Sequence, residues 1–126
     1  MRPADSYAVE AKFGNVGGLK VGAPVTMAGV RIGRVESIKL EQSDYMVVVT
    51  LAIERRYDDI PDDSDAAILT SGLLGGNYIG IAPGGSEKYL RAGSEIYFTQ
   101  SAIAIESLIN EFLANFAGKH TGNDSQ

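Results

Sequence analysis

Five carboxylates crowd one short run of this chain. In RRYDDIPDDSDA, residues 55–66, the side chains of Asp58, Asp59, Asp62, Asp63 and Asp65 surround Pro61. Oxygen ligands of this kind suit a hard cation such as calcium or magnesium. A metal-assisted hydrolase is the chemistry such a site would serve. The spacing matches no EF-hand loop, however, and a solvated acidic turn is the plainer reading. Other reactive candidates are few. The single histidine, His120, stands beside Lys119 near the end of the sequence, where nothing positions it as the base of a triad. There is no cysteine, which excludes disulfides, thiolate zinc sites and a Cys nucleophile. The glycine-rich runs GNVGGLKVG and GLLGGNYIG each lead into a strand. They lack the strand–turn–helix order and the following Lys and Ser or Thr of a phosphate loop.

A different signal sits in SGLLGG, residues 71–76, where Leu73 and Leu74 lie between Gly72 and the pair Gly75 and Gly76. Surface turns normally carry Gly, Asn, Asp or Ser. Two adjacent side chains in an extended loop point in different directions and do not easily pack inward together. Leaving each exposed forfeits ~1.5–3 kcal/mol of burial. Either one or both leucines fold onto the core, or they form an apolar patch meant for another surface.

The elements that must position this loop are mostly strands. YAVEAKF, residues 7–13, alternates with Tyr7, Val9, Ala11 and Phe13 on one face and reads as a half-buried strand. PVTMAGVRIGRVESIKL reads as two strands joined by a tight turn at Gly29. Its apolar phase slips between Ile32 and Val35 and returns at Ile38 and Leu40, which predicts a β-bulge at Gly33. YMVVVTLAIE places Tyr45, Val47, Val49, Leu51 and Ile53 on one face and is the strongest strand. AAILT and NYIGIA flank the leucine loop, and IYFT is a last strand. About seven short strands at this spacing predict a small all-β sandwich or barrel.

The pattern changes at Ser101, a candidate N-cap. SAIAIESLINEFLANFAGK carries Ile105, Leu108, Ile109, Phe112, Leu113 and Phe116 at helical spacing and stops at Gly118. Ile105, Ile109, Phe112 and Phe116 follow the 4-3-4 spacing of a coiled-coil seam. The stripe can fold against the barrel or pack against copies of itself. Residues 119–126 read as a disordered tail and residues 1–6 as a linker.

Composition narrows the partners. The chain has 126 residues, a net charge of −5 and an apolar content of 44%, enough for one domain with a modest core. The acidic balance disfavours nucleic acid and adsorption to anionic lipid headgroups by charge alone. No apolar run approaches the ~20 residues of a membrane-spanning helix, and MRPADSYA has no signal-peptide character.

Two long motifs then carry a resemblance. GAPVTMAGVRIGRV, residues 22–35, fits G-x-P-V-x-x-x-G-V-x-x-G-x-V. IPDDSDAAILTSGLLGGNYI, residues 60–79, fits I-P-x-x-S-x-A-x-I-x-T-x-G-L-L-G-x-x-Y-I. Both resemble the MCE domain, and the likeness runs from residue 7 to about residue 118. It implies a small seven-stranded β-barrel over residues 7–100, assembling as a hexameric ring, with a C-terminal pore helix over 101–118. The loop carrying Gly72, Leu73, Leu74 and Gly75 would line a hydrophobic pore for phospholipid. Leu108, Phe112 and Phe116, with Ile105 and Ile109, would face the interior of a helix bundle extending that pore. The resemblance further implies an inner-membrane anchor outside this sequence, a periplasmic location, an ABC permease and ATPase as partners, and a soluble periplasmic lipid carrier. Phospholipid is then the ligand, with no cofactor, no metal and no catalytic residue. The competing reading is an adhesion or scaffold module that binds a protein partner.

Overall fold

The computed structural model describes residues 5–72, 75–102 and 109–117. Its strands are β1 (Ser6–Phe13), β2 (Pro24–Met27), β3 (Val30–Leu40), β4 (Val47–Glu54), β5 (Asp65–Thr70), β6 (Asn77–Ala82), β7 (Glu95–Ile96) and β8 (Phe98–Gln100). A helix, α1, covers residues 109–117. The strands form one sheet in the order β7-β1-β4-β3-β2-β6-β5-β8. Its two outermost strands, β7 and β8, are neighbours in the chain, separated only by Tyr97. The sheet therefore curls until its edges meet, and the expected final strand proves to be two half-strands serving opposite edges. Closure of this kind removes exposed sheet edges.

Inward-facing residues alternate along β1, β5 and β6 as the pleat requires. Val9, Phe13, Val25, Val35, Val49, Leu51, Ile53, Ile79 and Ile96 are fully buried and form one continuous core, with Leu19, Ile60 and Leu90 closing it from loops. Each such burial is worth ~1.5–3 kcal/mol. Core residues from strands distant in sequence make the barrel a cooperative unit.

The phase slip in β3 has two causes. Against β2, the partner of Val25 is Gly33 and that of Thr26 is Arg31, so Ile32 is an extra residue. Against β4, Val35 pairs with Leu51 and Ser37 with Thr50, so Glu36 is a second one. The first bulge turns Ile32 and Gly33 both inward and the second restores the phase. Gly33 has no room for a side chain: a Cβ there would collide with the Ala52 carbonyl oxygen and sit 3.1 Å from the Ile53 Cα. The β2–β3 turn has positive φ at Ala28 (51°) and Gly29 (81°), the left-handed pair that matches strand twist in a two-residue hairpin.

Two expected strand positions are corrected. Tyr45 does not extend β4; it is 75% exposed with φ of 56°. Asp44 Oδ1 accepts the Met46 N–H at 3.0 Å, and this side-chain turn ends the hairpin before the strand begins. Leu40 is likewise exposed rather than in phase with Ile32.

The acidic run is drawn apart by the fold. Asp63 accepts from the backbone N–H groups of Gly85 and Ser86 at 3.1 and 3.0 Å. The Ser86 N–H holds its carboxyl below the usual carboxylate range against a smaller opposing push from burial, and the Gly85 N–H adds to the lowering. A carboxylate whose folded pKa is depressed stabilises the fold above its unfolded pKa, and that contribution disappears as pH falls through the folded value. Asp63→Asn is therefore expected to melt a few degrees below the parent protein at neutral pH. The gap should narrow as the pH falls past the ordinary Asp range and through the depressed folded value, as thermal denaturation followed by circular dichroism would show.

Candidate functional site

Three segments and the chain exit meet at one end of the barrel. β1 runs from the Asp5 end, where the Arg55 N–H donates to the Asp5 carbonyl at 2.7 Å, to Phe13, which pairs with Val47. Beyond Phe13, the N–H groups of Gly14 and Asn15 donate to Ser101 Oγ at 3.0 and 3.2 Å. The Ala102 N–H donates to the Asn15 carbonyl at 2.9 Å. The same loop reaches the β5–β6 hairpin: Asn77 Nδ2 donates to the Val16 carbonyl at 3.5 Å. Asn15 Oδ1 in turn accepts the Gly17 N–H at 2.8 Å, fixing the loop as an Asx turn. The hydroxyl of Ser101, expected as a helix N-cap, is thus engaged with the end of β1.

The stem of the hairpin is ordered by strand pairing. Leu69 pairs with Tyr78 and Thr70 with Asn77. The Thr70 hydroxyl donates to Asn77 Oδ1 at 3.1 Å, and the Ser71 N–H donates to the Gly76 carbonyl at 3.1 Å. Gly72 has φ of 85° and open space around its Cα, a conformation that glycine adopts without cost. A Cβ on Gly75 would collide with the Ser71 carbonyl, so this position must be glycine for the hairpin to close. Leu73 and Leu74, the residues between them, lie outside the described residues.

The helix positions divide in the same way. Ile105 and Leu108 lie outside the described residues. Ile109, Phe112, Leu113 and Phe116 are described and exposed: 50%, 69%, 56% and 66%. At 100° per residue they form one stripe of α1, with Asn110, Glu111 and Asn115 elsewhere on its circumference. The stripe does not fold against its own barrel. An isolated helix this short is marginal in water, because helices in proteins draw most of their stability from packing. The exposed stripe therefore asks for a partner.

The aspartates offer no comparable assembly. Asp63 is committed to Gly85 and Ser86. Asp58 and Asp59 lie near Tyr7 at the opposite barrel end, where the Tyr7 hydroxyl donates to the Tyr57 carbonyl. Burial, with the charges of Asp58 and Asp59, pushes Tyr7 up to about 12. Asp65 pairs with Phe98. Among the described residues no group of three or more His, Cys, Asp or Glu is placed to hold a metal ion. The fold divides the sequence cluster, with Asp58 and Asp59 beside Tyr7 and Asp63 turned to the Gly85 and Ser86 N–H groups. Sequence reasoning missed Asn15, Asn77 and Ser101 as the residues that knit this end together. The Asn-x-Gly spacing at 15–17 is a turn signal that could have found the first.

A nearly closed barrel of short strands with a glycine-bounded hairpin, followed in the chain by a helix, is an MCE-type module. The family described as MlaD protein matches residues 5–84, and the chain belongs to it. The intermembrane phospholipid transport system binding protein MlaD of Haemophilus influenzae is 45% identical over 122 residues, covering 94% of this chain and 72% of the relative. The protein of the same name from Escherichia coli K12 is 41% identical over 128 residues, covering 98% and 70%. Among solved structures, a chain of the Acinetobacter MlaFEDB complex in the ATP-bound Vtrans1 conformation superposes with a TM-score of 0.80 at 29% identity, covering 89% of this chain and 83% of that one. Among the described residues no helix is long and apolar enough to cross a membrane.

Proposed function

We propose that this chain is the phospholipid-binding ring subunit of an intermembrane phospholipid transport system, and that it acts as a conduit rather than a catalyst. The observation that carries this reading is the exposed stripe Ile109, Phe112, Leu113 and Phe116, reached from the same barrel end as the hairpin of Leu73 and Leu74. Copies arranged as a closed heterologous ring, hexameric as in the family resemblance, would gather those leucines around an axis. The helices would continue the apolar path, with Ile105 and Leu108 extending the stripe. Acyl chains need such surroundings, since each CH₂ kept from water is worth ~0.8 kcal/mol. In such a ring Gly72 and Gly75 would let the hairpin turn its leucines to the axis.

Within this reading the barrel stands in the periplasm beside an ABC permease and its ATPase, which supply the energy. The soluble carrier MlaC exchanges phospholipid with the ring, and the system maintains outer-membrane lipid asymmetry. The names of the relatives and the MlaFEDB structure support it. Native mass spectrometry of the purified chain tests it: a hexamer carrying phospholipid is expected. A monomer without lipid at every concentration would overturn the proposal. A ring that retains no lipid but captures a protein through the leucine hairpin would favour the scaffold reading instead.

A further inference from the structure

The run Glu95–Gln100 is the seam of the barrel. Its first half pairs in parallel with β1, Glu10 with Glu95 and Ala11 with Ile96. Its second half pairs in parallel with β5, Asp65 with Phe98, Ala66 with Thr99 and Ala67 with Gln100. Tyr97, 75% exposed, is the residue at which the chain changes partner. Without this run the sheet β1-β4-β3-β2-β6-β5 would stay open along both edges.

The seam is held by little. Parallel pairing is slightly weaker per residue than antiparallel, and both halves are far shorter than the ladder joining β1 to β4 along the whole of Ser6–Phe13. Ile96 is its one fully buried hydrophobic side chain, while Phe98 is 59% exposed. The remaining fastening is by two hydroxyls and a few backbone bonds. Thr99 Oγ1 donates to the Lys12 carbonyl at 2.7 Å, and Ser101 Oγ accepts from Gly14 and Asn15. Just ahead of the run, the Gly93 N–H donates to the Ala8 carbonyl at 2.8 Å and the Glu10 N–H to the Ser94 carbonyl at 2.9 Å.

We infer that residues 93–102 form a strap that opens as one unit while the rest of the barrel stays folded. Local opening of this kind takes the units with few buried contacts and leaves the core strands closed. The strap ends where the chain leaves the barrel at Ala102, so displacement of that exit is relieved at the seam before it reaches the core. This holds whether or not the assembly carries lipid.

Native-state hydrogen exchange on the full 126-residue chain tests the inference. The amides fastened across the seam, those of Glu10, Gly14, Asn15, Gly93 and Ala102, are expected to be at least a hundredfold less protected than the amides of the central strand β4. In Thr99→Val with Ser101→Ala the amides of Glu10 and Gly93, whose own acceptors are the untouched Ser94 and Ala8 carbonyls, should lose a further tenfold while β4 keeps its protection, and Thr99→Ser should retain the parent value at Glu10. If seam and β4 exchange with equal protection, and the double variant lowers both together, the strap belongs to the global unit and the inference fails. It fails also if the double variant leaves the seam unchanged.

Discussion

Leu73→Asn combined with Leu74→Asn is expected to strip phospholipid from the purified protein by at least tenfold per subunit, with assembly unchanged. Each leucine held against an acyl chain is worth up to ~1.5–3 kcal/mol of burial, and every ~1.4 kcal/mol is tenfold in affinity. Two substitutions per subunit, repeated around a ring, exceed that threshold comfortably. Asparagine keeps turn propensity and tolerates the left-handed region. The stem, fixed by the Thr70–Asn77 and Ser71–Gly76 hydrogen bonds, should survive. Lipid extraction with thin-layer chromatography gives the loss, and sedimentation gives the assembly. Unchanged lipid in an intact ring would remove the leucines from the conduit. Gly72→Ala makes a useful companion, since it strains the φ of 85° without touching the apolar side chains.

Gly33→Ala is expected to cost about 3 kcal/mol or more, near the upper range for overpacked interiors, and Gly33→Val to prevent folding. The added methyl meets backbone rather than a movable side chain: the Ala52 carbonyl lies in its place, with Ala52 C and Ile53 Cα at 3.1 Å. Relief would require β3 and β4 to separate at the centre of the sheet. Domains of this size hold only ~5–15 kcal/mol in total, so the loss is a large share. Urea unfolding should show a much lower midpoint at unchanged slope. Gly85→Ala, where nothing lies within 4 Å, should stay within ~0.5 kcal/mol of the parent. Equal midpoints for the two variants would show that the β3 bulge has slack the structure does not reveal.

Much of the barrel was legible because its signals are local. Alternation in YAVEAKF gives β1 with its inward set intact, and the slip around Gly33 gives the first bulge. Tyr45 was misjudged because an aromatic beside a β-branched run looks like strand, while the Asp44 side chain had already claimed the Met46 N–H for a turn. The partition of the last strand was not legible at all. Nothing in EIYFT says that Ile96 and Phe98 serve opposite sheet edges, because that follows from closure of the whole sheet. In the candidate site, the glycines of SGLLGG announced a hairpin and the helical spacing announced the stripe. That the stripe stays off its own barrel depends on where the chain leaves the sheet, at Ser101 and Ala102, and no local pattern encodes it. The run of aspartates at 58–65 shows the converse: proximity in sequence suggested a site that the path of the β4–β5 connection divides between Tyr7 and the Gly85–Ser86 backbone.

The two barrel ends have a geometric consequence. The chain is gripped at Asp5 by Arg55 on one side and released at Ala102 on the other, one β1 length away, at most ~26 Å for an eight-residue strand at ~3.3 Å per residue. Whatever holds the chain at the first side is thereby kept from the exit at Ala102 by a stack of fixed height. The barrel is thus a stator: it sets the distance between the grip at Asp5 and the exit at Ala102 without changing length itself.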